Sequence, residues 1–157
     1  MKRSGMEANM GITYRIEKEK GFTLVLWKGV VTAETFLAHV QRLSSDEDWP
    51  PFKRLHLTDL RDASIDASMD ESIIQKAADS YGQHPEKIKG MKVAIVARDA
   101  FSKAVAFERI ITQYGATAIV FNFLNTARIW LDIDDDDVKR SFQQLRSIGS
   151  EKNGVSP

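Results

Sequence analysis

The feature that most constrains this fold is the regular alternation of short apolar runs with longer stretches of helical periodicity. Runs of alternating or continuous apolar residues are typical of β-strands, and they cover residues 12–18, 22–27, 53–60, 91–97 and 118–123. Apolar residues three and four positions apart are typical of amphipathic helices, and they cover residues 32–43, 68–83, 99–114, 126–131 and 134–147. This order predicts an α/β domain whose sheet is mostly parallel.

Two segments indicate how the strands pair. Residues 19–21 (Glu-Lys-Gly) form a tight turn between the first two strands, which predicts an antiparallel hairpin. Residues 91–97 are almost continuously apolar, which favours a parallel strand buried between helices on both faces. We therefore predict a single mixed sheet of about five strands, antiparallel at its N-terminal hairpin and otherwise mostly parallel, covered by helices. One domain is expected over residues 11–148, with residues 1–10 and 149–157 as flexible termini.

The composition excludes several classes of function. Lys plus Arg and Asp plus Glu are equal at 22 each, so a general affinity for nucleic acid is not expected. The chain has no cysteine, which excludes disulfides, thiolate metal sites and a cysteine nucleophile. No apolar run approaches the roughly 20 residues of a membrane span, and no signal-peptide core follows the basic N-terminus. We expect a cytoplasmic protein without a membrane span.

The polar segment after the third strand is the candidate interaction loop. In α/β domains, binding sites form where a strand passes through a short loop to a helix N-terminus. Here the loop is expected to run from residue 59 to residue 70, and its charged members are Asp59, Arg61, Asp62, Asp66 and Asp70. The sequence predicts that an unidentified protein partner binds at this loop.

Ser68 and Ser64 in the same segment are candidate phosphoacceptors. The residues favour a simpler role, because Ser and Asp at a helix start accept hydrogen bonds from free backbone N–H groups. A phosphate on Ser68 would meet the positive end of the helix, but it would also meet the carboxylates of Asp66 and Asp70. Both interpretations stay open at this point.

The sequence offers no set of metal, cofactor or catalytic residues. The acidic run 132–137 matches the first ligand positions of a calcium loop but lacks the required glycine and glutamate, so it is interpreted as a helix N-terminus. The three histidines lack zinc-binding spacing. Ser64, His56 and Asp59 form a triad on paper only, without a nucleophile-elbow or glycine-rich phosphate motif. We predict a protein that is not an enzyme and uses no cofactor or metal.

Apolar residues in the second half of the chain leave alternatives open. Six aromatic residues either line a ligand pocket or fill the core: Phe101, Phe107, Tyr114, Phe121, Phe123 and Trp130. The apolar stripe of the last helix either packs on its own domain or crosses to a second copy in a homodimer.

Five segments, in this order, resemble the SpoIIAA-like branch of the STAS superfamily. They are Tyr14-Arg15-Ile16, Trp27-Lys28-Gly29-Val30-Val31-Thr32, Leu57-Thr58-Asp59-Leu60-Arg61, Lys92-Val93-Ala94-Ile95-Val96 and Ala127-Arg128-Ile129-Trp130-Leu131. The resemblance spans about residues 11–132 and implies a small α/β sandwich. Better-known STAS members include anti-sigma-factor antagonists, in which a kinase phosphorylates the Ser or Thr of an Asp-Ser-Ser/Thr-Gly turn. The nearest counterpart here, Asp66-Ala67-Ser68-Met69, lacks the adjacent Ser/Thr-Gly.

Two functions follow as expectations. The first is a non-catalytic regulatory or protein-interaction module of the SpoIIAA-like type that uses the loop after the central strand. The alternative is a carrier of a small apolar or lipid-like ligand, held between the sheet and a helix such as the one over residues 100–114, since some relatives also resemble lipid-carrying SEC14-type domains.

Overall fold

The computed structural model describes residues 6–9 and 11–154, with side chains described over residues 11–147. These residues form one sheet and six helices. The strands are β1 (Met6–Asn9), β2 (Ile12–Glu17), β3 (Phe22–Val31), β4 (Leu55–Ile65), β5 (Lys92–Val96) and β6 (Thr117–Phe121). The helices are α1 (Ala33–Ser44), α2 (Glu71–Gly82), α3 (Pro85–Ile88), α4 (Phe101–Ile111), α5 (Leu124–Leu131) and α6 (Asp135–Gly154).

The six strands lie side by side in chain order. β1, β2 and β3 pair antiparallel, whereas β3 to β6 pair parallel. The predicted mixed sheet with an antiparallel N-terminal hairpin is therefore confirmed. Strand β1 was not predicted, because it lies within the segment 1–10 that the sequence predicts to be flexible. Its four residues pair with β2, with Ala8 opposite Thr13, and four residues are the shortest stretch over which a strand pattern can be detected.

The helices cover both faces of the sheet, and the chain order explains their placement. Consecutive parallel strands joined by right-handed crossovers carry their helices on one face. α1, α2 and α4 connect β3 through β6 in this way, and they enclose a core that includes Val25, Ala77 and Ile95. α5 and α6 follow the last strand, and with the opposite face they enclose a core that includes Leu57 and Leu131. We call these the first and the second face.

α6 packs on its own domain. Val138, Phe142 and Leu145 are each at most 3% exposed and belong to the core of the second face. Of the two alternatives for the apolar stripe of the last helix, packing on its own domain is therefore the one observed. Residues 149–154, predicted to be flexible, form the last turns of α6, while residues 155–157 lie outside the described residues. No helix in the described part of the chain has the length and apolarity needed to cross a bilayer.

β4 is longer than its apolar run. The sequence predicts its end at residue 60, where polar residues interrupt the pattern, but the strand continues to Ile65. The second half of β3 supplies the partner for this extension after a register shift, with Lys28 opposite Asp62. The loop between β4 and α2 is therefore shorter than predicted. It covers residues 66–70, and we call it the β4–α2 loop.

Candidate functional site

A cavity lies between the first face of the sheet and the helices α1, α2 and α4. Its volume is about 90 Å³. The side of the cavity formed by α4 is lined partly by Ala100 and Ala104, whose small side chains leave space in front of the sheet. Most of the other lining residues are apolar as well, among them Leu60, Ile74, Met91, Val93 and Ile95. A concave, mostly apolar space with a few polar groups is the usual form of a small-molecule site.

One end of the cavity lies beside the β4–α2 loop. Ile65 and Lys103 are half-buried, whereas Met69 is buried, and all three line the cavity. Lys103 Nζ donates a hydrogen bond of 2.6 Å to the backbone oxygen of Met69. This bond joins α4 to the loop across the cavity end, which we call the mouth. It lies near the carboxyl end of β4, where ligands of α/β proteins commonly enter.

Four ring-bearing residues gather at the other end of the cavity. His39 comes from α1, Trp49 from the segment before β4, His56 from the start of β4, and Tyr81 from α2, and all four are buried. The rings of Trp49 and His56 meet edge to face with centroids 6.2 Å apart, and the centroids of Trp49 and Tyr81 are 5.5 Å apart. We call these four residues the base cluster.

The base cluster is uncharged at neutral pH. Burial lowers the pKa of His56 from 6.5 to about 4. Burial, and to a smaller extent the nearby His56 and Arg42, lowers the pKa of His39 to about 3. Burial also raises the pKa of the Tyr81 phenol above its usual range. Removal from water disfavours the charged form of each group, and no carboxylate offsets this effect on either histidine.

Three polar atoms of the cavity lining have no hydrogen-bond partner among the described residues: Trp27 Nε1, Trp49 Nε1 and His56 Nδ1. The second ring nitrogen of His56 is satisfied, because Nε2 lies 3.0 Å from Thr58 Oγ1. Thr23 Oγ1, on the strand position opposite His56, is also unpartnered. A buried polar atom without a partner costs about 1–3 kcal/mol, so each such atom calls for an explanation.

The predicted interaction residues are not all on a loop. Asp59, Arg61, Asp62 and Ser64 lie on β4. Asp59 is 1% exposed and forms a two-point ion pair with Arg61, with oxygen–nitrogen distances of 2.9 and 2.8 Å. These hydrogen bonds raise the pKa of the Arg61 guanidinium. Asp59 is therefore not available on the surface, whereas Asp62 and Ser64 are exposed.

The other predicted residues occupy the β4–α2 loop and make capping contacts. Asp70 Oδ1 accepts from the Ile73 N–H and caps α2, two residues later than the predicted helix start. Asp66 Oδ2 accepts from the Ser68 N–H, and Ser68 Oγ accepts from the Ala33 N–H at the start of α1. The loop thus satisfies the first turns of two helices, which is the capping role that the residues favoured.

The remaining sequence candidates lie away from the cavity, with one exception. Of the six aromatic residues considered as pocket lining, Phe107 alone lines the cavity, while Phe121 and Trp130 stack on each other with centroids 5.7 Å apart. In the acidic run, Asp134 Oδ2 accepts from the Asp136 N–H at the start of α6, as interpreted. Within the described residues, no group of three metal-ligating side chains is assembled.

Sequence reasoning missed most of the cavity. His39 and His56 belong to one site although they are distant in the chain. Ser64, His56 and Asp59 do not converge, because Asp59 faces the side of β4 opposite to His56 and Ser64 lies eight positions further along the strand. A signal was present in α1, where His39 interrupts the apolar stripe formed by Phe36, Val40 and Leu43. A histidine on a helix face that is otherwise buried indicates a polar requirement in the core.

Comparison of the chain with models of known protein families and with curated proteins gives no match.

Proposed function

We propose that this protein binds a small, largely apolar molecule in the cavity between the first face of the sheet and helices α1, α2 and α4. The observation that carries the proposal is the set of unpartnered atoms Trp27 Nε1, Trp49 Nε1 and His56 Nδ1 on residues lining an apolar space. A bound molecule with one polar group would give a partner to Trp49 Nε1 and His56 Nδ1, whose rings are neighbours, and would fill the space. The role is a non-catalytic one, in keeping with the carrier function named above as the alternative.

Ordered water is the competing occupant, and a cavity-filling variant distinguishes the two. Ala104→Leu extends a side chain from α4 into the cavity, while Ser102→Leu makes a similar change at an exposed position of the same helix. Native mass spectrometry of the purified chain is expected to detect a bound small molecule that Ala104→Leu loses and Ser102→Leu retains. Calorimetric titration with hydrocarbons and alcohols should show the same pattern.

The proposal is wrong if the purified chain carries no added mass and binds none of these compounds. It is equally wrong if Ala104→Leu binds them as tightly as the unaltered chain, because the binding would then occur elsewhere. A water-filled cavity predicts the first of these outcomes.

A regulatory module remains the second candidate, because one contact links the cavity to the predicted interaction surface. The Lys103–Met69 hydrogen bond attaches the β4–α2 loop to α4 at the mouth, so an occupant that moves α4 would also move the loop. The resemblance to the SpoIIAA-like branch of the STAS superfamily is carried forward here as a proposal, together with a protein partner that binds this loop. A homodimer stays a prediction.

Ser68 offers a direct test of the loop. Ser68→Ala removes the hydroxyl oxygen that accepts from the Ala33 N–H, and the loss of such a cap lowers the free energy of unfolding by about 1 kcal/mol. Ser64→Ala, at an exposed strand position, is the control and is expected to change this free energy by less than about 0.5 kcal/mol. Urea unfolding measures both, and an equal effect of the two variants would contradict the capping role.

Phosphorylation is the competing role for Ser68, and it has its own measurement. Peptide mass spectrometry of the chain from its native source is expected to detect phosphate at Ser68 only if the loop acts as a kinase-controlled switch. A phosphate there would replace the contact with the Ala33 N–H and approach Asp66 and Asp70. Hydrogen bonds from Ser68 lower the pKa of Asp66, and hydrogen bonds from the first turn of α2 lower the pKa of Asp70.

A further inference from the structure

Building on the proposed function, we infer that the occupant carries an uncharged, oxygen-bearing head group such as an alcohol or a carbonyl. The head is seated in the base cluster beside Trp49 and His56, and a slim apolar body extends along β4 toward the mouth.

The hydrogen-bonding capacity at the base fits one oxygen atom. Trp49 Nε1 is a donor only, whereas His56 Nδ1 donates or accepts according to the tautomer. The two rings are neighbours at a centroid distance of 6.2 Å, and neither nitrogen has a partner in the part of the chain that the structure describes. A hydroxyl group accepts from the indole and exchanges a hydrogen bond with the imidazole in either tautomer. A carbonyl oxygen accepts from both when His56 Nδ1 carries the proton.

The electrostatics at the base exclude a charged head. Both histidines are neutral there, as is Tyr81, because burial shifts the pKa of each group away from its charged form. A carboxylate or an ammonium group would lose its hydration without meeting an opposite charge, which costs far more than burying an alcohol. The base cluster therefore selects against fatty acids and amines at this end.

The mouth of the cavity carries one positively charged side chain, and its ammonium group already has partners within the protein. Among the cavity-lining residues, Lys103 alone is a lysine or arginine. Its ammonium group donates to the Met69 oxygen and interacts with the Asp70 carboxylate. An anionic head at Lys103 is the reverse orientation of the ligand, and it would have to compete with both of these partners.

The shape of the cavity indicates the form of the apolar body. His56, Thr58 and Leu60 all line the cavity from β4, and four strand residues span about 13 Å. A volume of about 90 Å³ distributed over that length is narrow. An alkyl chain fits such a space better than a fused ring system does.

Calorimetric titration with three probes of equal chain length tests the head group at pH 7.5. The probes are 1-butanol, butanoate and butylammonium, and the unaltered chain is expected to bind 1-butanol at least about tenfold more tightly than either charged probe. Trp49→Phe keeps the ring but removes the N–H donor, so it is expected to weaken 1-butanol binding by about five- to tenfold. Trp130→Phe, on the second face, is the matched control and should leave the affinity unchanged.

The other possible results contradict either the inferred head group alone or the proposed binding function as a whole. Tighter binding of butanoate that is lost in Lys103→Met places the head at the mouth, which overturns the inference but leaves the proposed function intact. Equal binding of all three probes, or no effect of Trp49→Phe, also overturns the inference alone. Binding of no probe at all rejects the proposed function itself. The head-group series uses the unaltered chain, so it is decisive even if Trp49→Phe does not fold.

Discussion

Lowering the pH from 7 to 5 is expected to reduce the free energy of unfolding by about 4 kcal/mol, which is a large part of the 5–15 kcal/mol that holds a typical domain together. The two buried histidines of the base cluster cause this loss. In the unfolded chain, His39 and His56 take up protons near pH 6.5, whereas in the folded chain their pKa values are about 3 and about 4.

The direction of the change in the free energy of unfolding depends on whether the folded or the unfolded chain binds more protons. A histidine with a lowered pKa in the folded state favours unfolding as soon as the pH falls below 6.5, because only the unfolded chain binds the proton. Each pH unit below that value removes about 1.4 kcal/mol per histidine until the folded pKa is reached. The charged or titratable groups that affect the pKa of His39 are His56 and Arg42, and both lower it. The carboxylate of Asp46 accepts a hydrogen bond from the hydroxyl group of Tyr14, whose ring meets His39 edge to face.

Urea unfolding at pH 7, 6 and 5 measures the effect. His39→Gln and His56→Gln should each remove about half of the pH dependence over this range, and the double variant should remove nearly all of it. His84 is retained in every variant, so its contribution is common to all of them. Equal stability at pH 7 and pH 5 in the unaltered chain would mean that the cavity opens to solvent, and it would reject the closed base cluster.

The fold follows from patterns that are local in the chain. The turn at residues 19–21 and the alternation on either side of it are sufficient to predict the β2–β3 hairpin, and the apolar run of β5 predicts parallel pairing. The failures occur where pairing with a neighbouring strand outweighs the local pattern. β4 extends past its apolar run because β3 provides a partner for Asp62–Ser64.

The site could not be predicted because it depends on long-range contacts. Trp49, His56 and Tyr81 come from a loop, a strand and a helix, and they meet only after the β4–α2–β5 crossover has folded. The general preference of α/β binding sites for strand–loop–helix junctions points instead to the acidic and serine residues near Ser68. In the structure these residues cap helices. Polar residues at helix starts are frequent in every α/β domain, whereas unpartnered buried polar atoms are rare.

Trp49→Ala is expected to lower the free energy of unfolding by about 3–5 kcal/mol, and indole should restore much of that loss. Trp49 is 3% exposed and packs against His56 and Tyr81, so truncation leaves a large internal space. Because that space adjoins the existing cavity, indole can occupy it in place of the missing side chain. A ligand at a hundred times its Kd stabilises a folded protein by about 2.7 kcal/mol.

Thermal unfolding followed by circular dichroism, with and without millimolar indole, tests this prediction, and Trp130→Ala is the control. Trp130 is half-buried on the second face, where it stacks on Phe121, so its removal opens a depression toward solvent rather than an enclosed space. Indole should therefore raise the Tm of Trp49→Ala and leave that of Trp130→Ala unchanged. If indole stabilises neither variant, the space around Trp49 collapses when the ring is removed, and a preformed binding cavity at the base is then excluded.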